Sequence, residues 1–381
     1  MTEKLIIQNF GPIKSAEITI RPLTIFIGPQ ASGKSLTALS LYFLRRFDRL
    51  ILPHYSNQPI KGLTLALERW FGKQYELYIH EDTQLQWLPD ITTPENVHAL
   101  GWHNHQLTHL SELLVQRLKQ PSSSTDTPIA TDAEVYIPAG RTLYSFLPPA
   151  TTLNPIIEVE DWPGYVRKFY ETLGSSIRWL LHENRNSVGK PDIDFLQSRI
   201  DLVLKGSIHY DFDTIKLTVN EQTLPAKNIA SGQMEIWPFW AIIEAGLRSN
   251  RLTPAQLYFE EPEAHLHPQA QRLIMEMIAY LVQGGTHFLL TTHSPYLLYA
   301  VNNFLLAHQV LAAGQALPPN FPAEVALSPD QVAAYRFAAD GTVHDLMDSE
   351  LGLIDAAELD QIADDLGATF ADLQDCLEGV A

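Results

Sequence analysis

An eight-residue run near the N-terminus, Gly28-Pro29-Gln30-Ala31-Ser32-Gly33-Lys34-Ser35, constrains this chain more than any other stretch. It follows the apolar pentapeptide Leu23-Thr24-Ile25-Phe26-Ile27 and precedes Leu36, Leu39 and Phe43 at helical spacing. The run fits G-x-x-x-x-G-K-[ST], in which glycines let backbone N–H groups curl around an anion at a helix N-terminus. Strand, loop and helix must follow in that order, with the strand buried in a mixed sheet. Lys34 can then reach the β- and γ-phosphates of a nucleotide, and the Ser35 hydroxyl can ligate Mg²⁺. The competing reading, a Gly-Ser loop that only caps a helix, is weakened because pattern and flanks agree.

Composition narrows the classes that remain. Of 381 residues, 45% are apolar and 18% charged, enough to bury a real core and too ordered a balance for a disordered chain. The 44 acids against 26 bases exclude a surface that embraces nucleic acid throughout, and leave open only a local basic groove. The single cysteine, Cys376, excludes a disulfide framework and a thiolate zinc cluster within one chain. The opening MTEKLIIQNF lacks the basic-then-apolar plan of a signal peptide, and the apolar stretch from Phe288 to Ala313 is broken by Thr, His, Pro and Asn. A cytoplasmic protein without a membrane partner is expected.

Periodicity supplies the outline. Residues 5–7 and 16–20 read as strands around the turn Asn9-Phe10-Gly11-Pro12, and Glu134 to Pro138 as a return to the sheet. Residues 162–204 carry helical spacing, residues 208–212 and 215–219 form a two-stranded unit, and from Leu257 a strand, a helix near 269–281 and a second strand at 287–290 follow. Residues 56–132 are less legible. Beyond Arg336 there is no Lys or Arg, against twelve acids.

Three further motifs carry chemistry. The strand Leu257-Tyr258-Phe259 ends in Glu260-Glu261-Pro262-Glu263. One carboxylate there can hold Mg²⁺, directly or through water, and the next can orient or deprotonate an attacking water; Glu260 takes the metal role and Glu261 the water. Thr291-Thr292-His293-Ser294-Pro295 ends another apolar strand 32 residues beyond Glu261, where His293 can sense a γ-phosphate. Ile229-Ala230-Ser231-Gly232-Gln233 is a small-residue turn opening a helix, a second candidate anion site, with Pro238 expected to delay or kink that helix. Each has a bland alternative: an acidic loop, a structural histidine, an ordinary helix cap. His98, His103, His105 and His109 have zinc-like spacing but no cysteine and few nearby acids, so a polar surface is the default. Trp237, Phe239 and Trp240 read as core, and the acidic tail as a solvated face or a docking surface for a basic partner.

Together and in this order, the motifs resemble the ATP-binding cassette (ABC) ATPases, and within them the branch of SMC, RecF and overcoming-lysogenization-defect (OLD)-like proteins. The resemblance rests on LIIQNFGPIKSAEITIRPLTIFIGPQASGKS, IASGQ, FEEPEAHLHP and TTHSPYLL. It implies an α/β ABC ATPase head with a mixed central sheet, an N-terminal antiparallel part and helical insertions. It also implies ATP and Mg²⁺ as cofactors and two heads sandwiching two nucleotides. The phosphate site would be Gly28, Pro29, Gln30, Ala31, Ser32, Gly33, Lys34 and Ser35, with Ser231, Gly232 and Gln233 as the signature turn acting across the dimer. Mg²⁺ would be held by Ser35 and Glu260, and catalysis would fall to Glu261 and His293. Ala230 stands where the branch usually has serine, and Glu260 where it usually has aspartate. Ala264 to Pro268 would lie near the subunit interface. Pro138-Ala139-Gly140-Arg141 also resembles a motif of the branch.

On this reading the whole chain, 1–381, is one head. Residues 1–55 and 133–148 form the nucleotide-binding lobe, 56–132 an insertion, 149–205 a helical segment, 206–310 the lobe of the signature turn and carboxylate strand, and 311–381 an acidic extension. The expected function is a Mg²⁺-dependent ATPase that pairs heads on ATP binding and drives or senses for a phage-defence or DNA-maintenance complex. No Toprim-like arrangement of acids follows residue 300, so a partner protein is expected to supply the effector. Two alternatives stand beside it: a low-turnover ATP-binding scaffold that restrains an effector, favoured by Ala230 and the acidic tail, and a RecF-like DNA-repair ATPase, which requires a basic groove.

Overall fold

The computed structural model describes residues 3–46, 59–72, 75–119, 134–142, 162–182, 191–210, 215–219, 221–249, 252, 255–355, 368–371 and 373–374. Strands β1 (Glu3–Phe10) and β2 (Ile13–Ile20) form an antiparallel hairpin, and β3 (Leu23–Ile27), buried at every position, leads to helix α1 (Lys34–Arg45). Helix α2 (Pro59–Phe71) precedes strands β4 (Ile79–Leu88), β5 (His98–His103) and β6 (Gln106–Leu110), and α3 (Glu112–Lys119) follows them. Then come β7 (Glu134–Ile137), α4 (Gly164–His182), α5 (Pro191–Leu204) and the short strands β8 (Ser207–Tyr210), β9 (Ile215–Val219) and β10 (Gln222–Pro225). The chain continues through α6 (Ser231–Arg248), β11 (Gln256–Glu260), α7 (Pro268–Gln283), β12 (His287–Thr292), α8 (Pro295–Ala312), β13 (Val332–Phe337) and β14 (Val343–Asp345).

The central sheet runs β14-β13-β3-β12-β11-β7, with every neighbouring pair parallel except β13 and β14. Strands covered on both faces must be apolar throughout, and strand alternation then deals their side chains to two cores. Leu257 and Phe259 of β11 join one core with Leu23, Ile25, Phe288 and Leu290, packed under α4, α6, α7 and α8. Tyr258 joins the other with Phe26, Leu289 and Tyr335. That second core includes Leu41 to Leu44 of α1 and Leu5, Ile7, Ile18 and Leu85 of a second sheet, so α1 is wedged between two sheets. The second sheet is antiparallel, in the order β2-β1-β4-β5-β6.

Two of the segments named from sequence contribute strands to the sheets. The segment 56–132, read as an insertion, supplies β4, which pairs with β1 from Lys4↔Leu88 to Phe10↔Ile79 and so extends the N-terminal antiparallel part. The segment 311–381, read as an extension, supplies β13, which pairs parallel to β3 from Val332↔Leu23 to Arg336↔Ile27. In both cases a half-exposed backbone edge is closed by a distant strand. Pro238 neither delays α6, which begins at Ser231, nor ends it; the proline lies buried inside the helix beside Trp237, Phe239 and Trp240, all core residues. No helix among the described residues is long and apolar enough to cross a membrane.

Candidate functional site

Strand β3 ends between β12 and β13, and the next residue, Gly28, has φ 151°. A Cβ there would sit 2.2 Å from the Phe337 carbonyl oxygen, so glycine is what lets the loop leave β3 beside the end of β13. Gly33, at φ 100°, closes the curl; a Cβ on it would lie 2.6 Å from Ile13 Cγ1. Ala31 adopts φ 59°, and the Ser32 hydroxyl donates to the Pro29 carbonyl at 2.8 Å. Helix α1 starts on the side-chain-free cap Gly33 with no acid in its first turn, which leaves its positive end suited to an anion. Lys34 is buried, and its ammonium donates to the carbonyls of Gly28 at 2.8 Å and Pro29 at 2.7 Å. Burial brings its pKa down to about 8, opposed by the nearby charges of Glu261, Glu263 and Glu260. A cation held at that depth beside curled backbone amides fits a phosphate group.

The carboxylates sit at and just beyond the end of β11, beside the end of β12. Glu260, the last residue of β11, is buried; Oε1 accepts from the Tyr136 hydroxyl at 2.7 Å and Oε2 from the Ala139 N–H at 3.0 Å. Tyr136 is on β7, opposite Tyr258 in the register, and its hydroxyl also lies 3.5 Å from the Ser35 carbonyl oxygen. Burial and the Glu260 charge hold the Tyr136 phenol well above its ordinary range, so it stays a proton donor. One hydroxyl thus joins the Glu260 carboxylate to Ser35. This fits Mg²⁺, which keeps several waters and takes few protein oxygens: the exposed Ser35 hydroxyl as a ligand and the two-donor-anchored Glu260 as an acceptor for bound water.

Glu261 has φ 44°, a left-handed conformation uncommon outside glycine, held by its N–H to the Thr291 carbonyl at 2.8 Å. Its Oε1 lies 3.5 Å from His293 Nε2. Glu263 locks the histidine from the other side: Oε1 accepts from the Thr292 hydroxyl at 2.6 Å and the His293 N–H at 2.7 Å, and Oε2 is buried without a hydrogen-bond partner. The geometry therefore brings together Gly28 to Ser35, Glu260, Glu261 and His293 at the C-terminal ends of β3, β11 and β12.

The turn Ser231-Gly232-Gln233 stands elsewhere. Ala230 caps α6 but has no hydroxyl to accept from the helix; only the reciprocal bond forms, from the Ala230 N–H to Gln233 Oε1 at 3.0 Å. Gln233 Nε2 donates to the Leu204 carbonyl, and a Cβ on Gly232 would lie 2.6 Å from the His265 carbonyl oxygen. The turn is thus seated on the loop after β11, with Ser231 exposed, and its hydrogen bonds do not reach residues 28–35.

Sequence reasoning passed over three residues that organise this site. Tyr136 and Glu263 sat inside quoted motifs without a role, and Arg141, in Pro138-Ala139-Gly140-Arg141, is fully buried among the carbonyls of the site. The histidines of residues 98–109 go to separate partners: His98 packs on Trp87, His103 pairs with Asp82, and His105 meets the Ile79 carbonyl. Among the described residues no group of three or more His, Cys, Asp or Glu is arranged to hold a metal ion. His267 caps α7 by accepting from the Gln269 N–H at 3.3 Å.

A phosphate loop between parallel strands, with glutamates and a histidine at the adjacent strand ends, is the arrangement of an ABC-type ATPase head. The chain belongs to the family described as "AAA domain, putative AbiEii toxin, Type IV TA system", whose family model matches residues 77–298. Solved structures to which it is similar include an Smc head bound to the C-winged helix domain of ScpA, at 13% identity over 78% of this chain and 91% of that one, with a TM-score of 0.43. Others are the SMC head domain from Thermotoga maritima (10%, 78% and 91%, TM-score 0.38) and an ATP-binding cassette of an ABC transporter in its ADP conformation (13%, 92% and 94%, TM-score 0.38). No curated protein matches the chain significantly.

Proposed function

We propose that this chain is a Mg²⁺-dependent ATPase whose heads pair on ATP binding, serving as motor or sensor of a phage-defence or DNA-maintenance complex whose effector is a partner protein. The observation that carries the ATPase reading is the convergence of Lys34, Ser35, Glu260, Glu261 and His293 at three adjacent strand ends. Lys34 would exchange the carbonyls of Gly28 and Pro29 for phosphate oxygens, a charge-assisted contact in place of neutral ones. Mg²⁺, when bound, supplies charge neutralisation at the phosphate oxygens. Glu260 orients through Tyr136 and the Ala139 N–H, while Glu261 is free at its outer oxygen to accept a proton from water and His293 backs it from the other side. The exposed Ser231 at the start of α6 supports head pairing, because a helix N-terminus turned to solvent suits a phosphate held by another copy.

The test is phosphate release from ATP and Mg²⁺ by the wild-type chain and by Lys34→Ala. Turnover in the first and none in the second is expected; equal release from both removes the reading. The low-turnover scaffold is the second reading, favoured by the absence of a capping hydroxyl at Ala230. Single-turnover hydrolysis that stalls at the first phosphate bond despite tight ATP binding would replace the motor with the scaffold.

A further inference from the structure

Arg141 has no part in the mechanism above, yet no side chain near the site is more completely enclosed. Its guanidinium spends its donors almost wholly on backbone carbonyls. Nη1 donates to Glu260 at 2.9 Å and to Pro138 at 3.2 Å, and Nη2 to Glu261 at 3.0 Å. Nε donates to the Glu235 carbonyl at 2.6 Å and lies 3.2 Å from a Glu235 carboxylate oxygen. Its flat face lies 4.9 Å from the centre of the Phe259 ring, which itself stacks on Phe239 of α6 at 4.7 Å. One rigid fork therefore fastens α6, one turn beyond Ser231, to the last residue of β11 and the residue after it.

The attachment falls where the backbone most needs holding. Glu261 stands in a left-handed conformation that a residue with a side chain keeps only when its surroundings impose it. Its N–H is held by Thr291 and its carbonyl by Arg141. If α6 shifts, Glu235 moves the guanidinium with it, the Glu261 carbonyl loses its donor, and the carboxylate is no longer fixed beside His293. Charge reinforces the linkage: Glu235, buried and so pushed up from the ordinary carboxylate range, faces Arg141, His265 and Glu261 together.

We propose that Arg141 is a positioning residue that makes the water-facing orientation of Glu261 depend on the seating of the helix that begins at Ser231. The proposal rests on the ATPase reading and names a residue that holds that site in place. Lysine would keep the charge but cannot span the four carbonyls with a planar fork.

The experiment is a double-variant cycle in single-turnover hydrolysis, with ATP affinity measured in parallel by a fluorescent ATP analogue. Arg141→Lys should slow hydrolysis by about tenfold or more while leaving the dissociation constant within about twofold. In the Glu261→Gln background the same change should alter the rate by less than about twofold, since the group that Arg141 orients is already disabled. Equal slowing in both backgrounds would show that Arg141 acts on something other than Glu261 and would overturn the proposal, as would an unchanged rate in Arg141→Lys alone. If Arg141→Lys does not fold, Glu235→Gln, which keeps shape and removes the charge, is put through the same cycle with the same pattern required. A wild-type chain that never hydrolyses ATP fails the ATPase reading first, before any variant is compared.

Discussion

Replacing Gly28 by alanine tests the link between the phosphate loop and the last strand of the central sheet. At φ 151° an L-residue is strained, and the new Cβ would meet the Phe337 carbonyl oxygen at 2.2 Å and its carbon at 3.1 Å. The obstacle is backbone hydrogen-bonded into β13, not the end of a flexible side chain, so the loop or the strand must move. Strain at such a φ costs about 1–3 kcal/mol, and a forced shift in a packed region about as much again. The expected loss is therefore about 2–6 kcal/mol, a melting temperature lower by roughly 2–8 °C in a chain of this size. ATP affinity should fall by at least about tenfold, because the Gly28 carbonyl now bonded to Lys34 moves with the loop. Calorimetry and a fluorescent ATP titration read the two effects. Ala31→Gly is the control in the same loop: it relieves a left-handed alanine at the cost of a freer unfolded chain, and should be near neutral. A Gly28→Ala protein with wild-type melting and wild-type affinity would refute the placement of β13 against the phosphate loop.

Other expectations follow from the same geometry. Burial brings Lys34 down to about 8, and a bound phosphate must push it back up, so the complex holds the proton more tightly than the empty loop. ATP affinity should then be level below about pH 8 and weaken above it by at most about tenfold per pH unit, as titrations at three pH values would show; a level affinity up to about pH 9.5 removes the assignment of Lys34 to the phosphate. Glu261→Gln should keep ATP binding and lose about 10²–10⁴-fold in turnover, and light scattering should find a larger assembly with ATP and Mg²⁺ than without. Adding Ser231→Arg should abolish that gain, since a bulky cation would stand at the exposed start of α6; an assembly indifferent to both changes would end the head-pairing proposal.

The candidate site residues stand out in the sequence because their signals are local. Gly28 to Ser35 announce themselves by a loop whose glycines, lysine and hydroxyl are adjacent in the chain, and Glu260, Glu261 and His293 by standing where apolar strands stop. A strand buried on both faces is a continuous apolar run, and its end is where polar chemistry begins. Tertiary structure decided what depends on distant pairing. Nothing in Val332 to Phe337 states that it lies beside β3, and nothing in Ile79 to Leu88 states that it lies beside β1, because a strand edge accepts any backbone of matching register. Arg141 shows the same limit at the level of one side chain. Its place in a short motif was visible, but its partners are carbonyls of Glu235, Glu260 and Glu261, and backbone acceptors carry no residue type that sequence could point to. The chemistry of the candidate site is thus written in short local runs at strand ends, while the device that holds Glu261 in place exists only once the helix and strand have packed.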